Sequence, residues 1–344
     1  MTQDLAIPAP QIRGFNYSGS WGTSGLDLWQ HHDQGLMAVE VARGKRYFPG
    51  WNTARWWLSH ESFQRNPERF LANFEAGLAV FAAHDILVIP VLFNRWRDPV
   101  CDFGGVSLEH IVPELGLFSR PGDFASASDE GSDSGWVIGG VHRRYLEAVV
   151  GAHAADPRIL TWDLCNEPLM GPYVDDDESF VVKAELRWLT WVGDVVRAAG
   201  ATQPITIGNC PSVRMISITE SIVDVVSFHP YYVPSTADEP IATRPGFEAF
   251  LDEVVAIAAK AGKPLVANET VWGSLDDAER VELLRYTLGQ LADRKIGFTA
   301  HALHHSLVAD LHAPEWGPVW GPGRLEFIEA DGSLRPGHDA FNDY

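Results

Sequence analysis

Hydrophobic and polar positions follow one recurring order along this chain. A short apolar, β-branched run gives way to a polar loop, then to a longer stretch with apolar residues every three or four positions. Eight runs of the first kind predict strands: Ile12–Tyr17, Asn52–Leu58, Ile86–Leu92, Ile159–Leu164, Ile205–Ile207, Val223–Phe228, Pro264–Ala267 and Gly297–Leu303. The longer stretches predict helices. Asp33 is placed to cap one over Gln34–Arg46. Asn66 and Pro67 supply a cap and a first-turn proline ahead of Glu68–Ala83, with Phe70, Phe74, Leu78 and Phe81 on one face. Ser134 or Asp133 precedes Trp136–Ala154, and Val141, Tyr145, Ala148 and Val149 form its stripe. Glu178–Ala199, Phe247–Ala261 and Ser274–Arg294 repeat the logic, whereas Pro211–Ser221 in the fifth crossover is a weak helix.

Strand alternating with helix implies a parallel sheet with crossover helices, and eight such units predict closure into a single (β/α)8 barrel over residues 1–344. A doubly wound open sheet is the alternative, but no G-x-G-x-x-G follows the first strand. Neither an internal repeat nor a linker divides the chain. Long loops after the first and third strands, Ser18–Asp33 and Phe93–Ser134, belong in a barrel to the C-terminal face, where active sites sit.

Charge and composition narrow the partners. With 26 basic and 46 acidic residues the formal net charge is −20, which repels phosphate backbones and anionic lipid surfaces, so neither nucleic acid nor membrane is an expected partner. Cys101, Cys165 and Cys210 form no C-x-x-C pair, and Met1–Pro8 carries no basic, apolar leader, so a reducing cytoplasmic setting is expected. The chain also holds 13 Trp, 17 Phe and 8 Tyr, which suits either surfaces that stack on sugar rings or a large core.

The chemistry is concentrated where polar residues interrupt strand ends. The fourth strand runs Trp162-Asp163-Leu164-Cys165-Asn166-Glu167-Pro168, and the seventh runs Val266-Ala267-Asn268-Glu269-Thr270-Val271-Trp272. Strands four and seven face each other across a barrel, so Glu167 and Glu269 converge on its catalytic face. Paired carboxyl groups, one protonated and one ionised, are what cleavage of a glycosidic bond requires.

With these residues in place the chain resembles the clan A glycoside hydrolases, especially family 5, the cellulase and mannanase group, over roughly Ile12 to Gly337. Asn166-Glu167-Pro168 matches that family's acid/base strand and Glu269 its nucleophile. Arg55 matches the arginine ending the second strand, and Phe228-His229-Pro230-Tyr231 the sixth-strand His-x-Tyr. The resemblance implies a retaining β-glycosidase acting on short oligosaccharides or glycosides, β-glucosides or β-mannosides, in an exo manner and without metal or other cofactor. Glu167 is then the acid/base and Glu269 the nucleophile, with Arg55 and Tyr231 set against Glu269. Asn166 holds the sugar 2-hydroxyl, and His229 binds a hydroxyl or orients Glu167. Asn94 and Trp96, in the loop after the third strand, and Trp272 are further candidate substrate contacts.

One departure stands out. The eighth strand reads Gly297-Phe298-Thr299-Ala300-His301, with His301 where the family usually has a tryptophan beneath the sugar. The cluster His301, His304, His305 and His312 also admits a metal-dependent barrel hydrolase or isomerase, although strand alternation sends His301 and His304 to opposite faces. A sugar-binding barrel without catalysis is a third reading. Tyr17, Trp21, Trp29, Trp96, Trp136, Trp316 and Trp320 are candidates for the rim of the site. Cys165 lies at the parity opposite Asn166 with no base partner, and is expected to be a small buried residue.

Overall fold

The apolar runs become eight parallel strands: β1 Arg13–Tyr17, β2 Thr53–Trp57, β3 Leu87–Val91, β4 Trp162–Asn166, β5 Ile205–Asn209, β6 Val226–Phe228, β7 Leu265–Thr270 and β8 Gly297–Ala300. They pair in chain order, and β8 returns to β1 through Gly14 opposite Thr299, closing a (β/α)8 barrel. An open doubly wound sheet is thereby excluded. The computed structural model describes residues 4–96, 105–106, 139–170, 174, 176–177, 179–234, 240–308 and 323–344.

The helices start where the caps predict. Asp33 accepts the Leu36 amide at 2.8 Å ahead of Gln34–Tyr47, and Asn66 accepts that of Arg69 at 3.0 Å ahead of Pro67–Ala82. Phe180–Ala198 and Asp277–Asp293 lie within their predicted spans. Thr243 caps a helix over Arg244–Ala261 that begins three residues before the expected Phe247, because Pro245 serves as a first-turn residue. The weak fifth crossover does fold, as Val213–Thr219 capped by Ser212 and a short turn Glu220–Ile222. The helix Gly139–Ala152 is described, whereas its expected caps Asp133 and Ser134, with Trp136, lie outside the described residues.

One expectation about loops needs revision. The connection after β1 is partly helical, with Gly25–Gln30 capped by Ser24. Most of the connection after β3, Cys101 included, lies outside the described residues. Strand β4 starts three residues later than its apolar run. Ile159 reaches β3 only through an isolated bridge to Val88, and the ladder continues instead through Asn166.

Packing divides into two clusters. The larger lies between strands and helices and absorbs much of the aromatic excess. Trp51, Trp162 and Trp188 are fully buried, and Trp29 stacks on Trp56 with centroids 4.8 Å apart. The smaller gathers Ile12, Ile89, Leu160, Val225 and Val266 near the strand starts, beneath the turn Ala9–Gln11. No described helix is long and apolar enough to cross a membrane.

Candidate active site

The second strand carries a cation in its middle. Arg55 is fully enclosed, which is tolerable only if every N–H finds an acceptor. Its Nε and Nη2 donate to Asp163 Oδ2 at 3.0 and 2.9 Å, and Nη1 donates to Glu269 Oε2 at 2.6 Å and Asn16 Oδ1 at 3.1 Å. Nη2 also reaches Asn166 Oδ1 at 2.7 Å. Asp163, equally buried, accepts from Asn268 Nδ2 at 2.9 Å and from the Gly208 amide at 3.1 Å. Gly208 is required by this approach: a Cβ there would fall 2.7 Å from both Arg55 Nη2 and His229 Nε2. Burial acts to lower the Arg55 pKa, but its two carboxylates outweigh that and raise it. Arg55 thus lies beneath the cavity, outside its lining, and touches the Glu269 carboxylate.

Two irregularities in the ladder deliver the carboxyl groups. The β4–β5 register shifts between Asp163 and Asn166, and the β7–β8 register shifts between Ala267 and Thr270. Strict alternation would send neighbouring residues to opposite faces. The shifts instead bring Asp163 and Asn166, three apart, to one network, and consecutive Asn268 and Glu269 to that same network. Glu167 then turns in the left-handed region at φ 45°.

Each carboxyl is held by both oxygens. Glu167 accepts from Trp96 Nε1 at Oε2, while its Oε1 lies 2.7 Å from His229 Nδ1. Glu269 Oε1 accepts the Tyr231 hydroxyl at 2.7 Å and lies 3.5 Å from His301 Nδ1. Burial pushes the Glu269 carboxyl up, but the imidazoles of His229 and His301 and the Arg55 guanidinium hold it well below the usual carboxylate range. Burial beside Glu269 pushes the Tyr231 phenol well above its ordinary value, so it stays a donor. An oxygen of Glu167, one of Glu269 and a ring nitrogen of His229 lie within 4.8 Å of one another.

A cavity of about 510 Å³ opens over these groups, lined in part by Glu167, Glu269, Asn166, Tyr231, Trp272 and His301. Asn94 and Trp96 line it as well. His229 does not, being fully buried behind Glu167, so of its two expected placements it takes the one against the carboxyl. Asn166 donates to Asn94 Oδ1 at 3.0 Å, with its second amide hydrogen left for a ligand. Trp272 meets Tyr231 edge-on at 5.2 Å, and His301 faces Trp57 at 5.5 Å.

Several sequence expectations separate here. Tyr17 and Trp29 line the cavity and are also anchored in the core: Tyr17 is fully buried and donates to Glu40 at 2.6 Å, and Trp29 is 3% exposed. Trp21 also lines the cavity, while Trp316, Trp320 and His312 lie outside the described residues. Among the described residues His301 and His304 diverge: His304 is buried, with Nε2 2.8 Å from Arg43 and Nδ1 3.0 Å from the His305 carbonyl, whereas His301 turns into the cavity. Cys165 is fully buried, and burial pushes its thiol well up. Sequence reasoning missed Asp163, Asn16 and Asn268. The available signal was a lone acid inside an apolar fourth strand, matched by a lone base inside the second.

No protein-family model matches the chain, and no curated protein matches it. Solved structures do. A subfamily 18 member of glycoside hydrolase family 5 from Streptomyces cattleya, solved with GlcNAc, superposes at TM-score 0.70 with 15% identity, over 96% of this chain and 79% of that one. An exo-β-1,4-mannosidase from Opitutaceae bacterium strain TAV5 matches at TM-score 0.69 and 16% identity, over all of this chain, which spans 61% of that protein. A family 5 mannosidase from Rhizomucor miehei matches at 0.64 and 16%, over 96% and 92% of the two chains. The fold is therefore the barrel of family 5 glycoside hydrolases.

Proposed function

We propose that this protein is a retaining β-glycosidase with Glu167 as acid/base and Glu269 as nucleophile. One observation carries the reading: two buried carboxyl groups, one just after β4 and one in β7, each present an oxygen within 4.8 Å of the other. That agrees with the separation of about 5–5.5 Å in retaining enzymes and leaves no room for the water that inversion places between carboxyl groups about 6.5–9.5 Å apart.

The first step protonates the glycosidic oxygen from Glu167 while an ionised Glu269 oxygen attacks the anomeric carbon. The C–O bond breaks, the leaving group departs as an alcohol, and an ester joins the sugar to Glu269. In the second step the Glu167 carboxylate takes a proton from water, whose oxygen attacks the same carbon and frees Glu269. Arg55 and Tyr231 fix the rotamer of Glu269, and each engaged oxygen still has a lone pair. Trp96 and His229 do the same for Glu167. The remaining amide hydrogen of Asn166 is placed for the sugar 2-hydroxyl, with His301 and Trp272 forming the rest of its enclosure.

The substrates are short β-glycosides or oligosaccharides, with β-mannosides and β-glucosides favoured, attacked from one end. Support comes from the solved relatives, among them an exo-β-1,4-mannosidase and a Streptomyces cattleya variant solved with Manβ1-4GlcNAc. Intact-protein mass after incubation with 2-deoxy-2-fluoro mannosyl and glucosyl fluorides tests the mechanism. A gain of one sugar, mapped to Glu269 and abolished in Glu269→Ala, is expected. Turnover of a glycoside by Glu269→Ala at the parent rate would remove the nucleophile assignment. Graded oligomers released from a polymer would remove the exo assignment.

A further inference from the structure

The cavity is two-sided, and the sides differ in chemistry. A proton donor must lie beside the oxygen it protonates, so the leaving group occupies the side of Glu167, on the walls that follow β4, β5 and β6. Among the described residues those walls present Met170, Cys210, Met215, Val233 and Ile241. Met215, Cys210 and Val233 are between 6% and 8% exposed, and each of them lines the cavity. Ser212 is the polar side chain on this wall: its hydroxyl accepts the Met215 amide at 3.3 Å as a helix cap and keeps its own hydrogen. Asn209 spends its amide on the carbonyls of Ile207 and Ser227, and its oxygen on Thr219. Away from β4–β6 the lining adds the polar His301 and Ser18 and the faces of Trp57 and Trp272 to the apolar Leu28, Leu58 and Leu325, while Asn94 lies beside Asn166.

We infer that the leaving group this site accepts is apolar: the substrate is a β-glycoside of an alkyl or aryl alcohol rather than one whose leaving group is a second sugar. This rests on the glycosidase reading above and specifies its substrate class. A leaving sugar would press several hydroxyls against thioether and methyl groups, and each buried hydroxyl left without a partner weakens binding roughly 5- to 150-fold. An aliphatic or aromatic group meets no such penalty. The unbranched thioethers of Met170 and Met215 adapt to irregular apolar shapes and also pack favourably against aromatic rings.

The test measures kcat/KM for the methyl, butyl and hexyl β-glycosides of the sugar that labels Glu269. The β-1,4 disaccharide and the glycosyl fluoride of that sugar are run beside them. Each fully buried methylene is worth about fourfold, so hexyl should exceed methyl by at least about 30-fold, allowing for partial burial, and should exceed the disaccharide. Met215→Gln and Val233→Thr should each lower the hexyl-to-methyl ratio, a quantity from which any loss of folded enzyme cancels. The fluoride needs no leaving-group site and separates the two ideas. If it is turned over while the alkyl series is flat and the disaccharide is preferred, the apolar assignment is overturned and the glycosidase reading stands. If the fluoride is inert and no adduct forms, the glycosidase reading falls and this inference falls with it.

Discussion

Near the strand starts the barrel interior is closed by Ile12, Ile89, Leu160, Val225 and Val266; further along the strands it is filled by Asn16, Arg55, Asp163, Asn268 and Glu269. The first layer is held by burial of apolar area, which is non-directional and tolerates exchange for residues of similar volume. The second is held by geometry: a buried cation shared by two carboxylates, Asp163 further satisfied by the amides of Asn268 and Gly208 and Glu269 by the Tyr231 hydroxyl, so that removal of the cation or a carboxylate leaves a charge without its partner. Apolar side chains would fill this volume with less desolvation. The ionic layer is explained by the need for an ionised carboxylate at the mouth, and the apolar layer by the need for a rigid base under it.

The widest separation between the layers should come from Arg55→Met. It leaves Asp163 and Glu269 buried without their cation, so chemical denaturation should show a loss of about 3–5 kcal/mol, accompanied by loss of turnover. Full stability with full activity would mean that the network is not the support described. Glu167→Gln comes next. The substitution preserves the shape of the side chain, so folding should persist while kcat/KM on a methyl glycoside falls about 10²–10⁴-fold and hydrolysis of the glycosyl fluoride, which needs no protonated leaving group, falls much less. Equal losses on both substrates would remove its assignment as the acid.

Leu160→Ala probes the other layer. A cavity among fully packed neighbours should lower stability by about 2–5 kcal/mol with kcat unchanged, and a change in kcat at constant stability would show that the layers are not independent. The smallest effect concerns pH. Folding depresses the Glu269 carboxyl, so its contribution to stability is present above the unfolded carboxylate range near about pH 4.3 and is lost as pH falls through the folded value. His301 is one of the groups that depress it; His301→Ala should therefore raise the carboxyl and move the acid limb of kcat/KM to higher pH. An unmoved limb, or one displaced to lower pH, would show that His301 acts on the ligand alone.

The difference between the layers also explains which parts of the molecule were legible. The apolar strands and the capped helices follow from local pattern, since Asp33 and Asn66 act within three residues of themselves. The candidate carboxyls were legible because a glutamate ending an apolar strand is conspicuous. Asp163 was not singled out, although a lone acid in an apolar strand demands a counter-charge, because its partner lies 108 positions away on another strand. Trp29 and Tyr17 line the cavity as their aromatic character suggests, but their anchoring, one stacked on Trp56 and the other donating to Glu40, is set by packing alone.

The sequence by itself determined the periods of the elements, their order, and hence an eight-stranded parallel barrel with glutamates at the ends of its fourth and seventh strands. Those properties depend on neighbours a few residues apart. Tertiary structure alone decided the separation of the two carboxyls, the sharing of Arg55 between Asp163 and Glu269, and the retreat of His229 behind Glu167. It also decided that Met170, Cys210, Met215, Val233 and Ile241, from separate connections, line one cavity with Glu167. Each of these is set by register shifts and by the approach of strands distant in the chain, where alternation within any one strand carries no information.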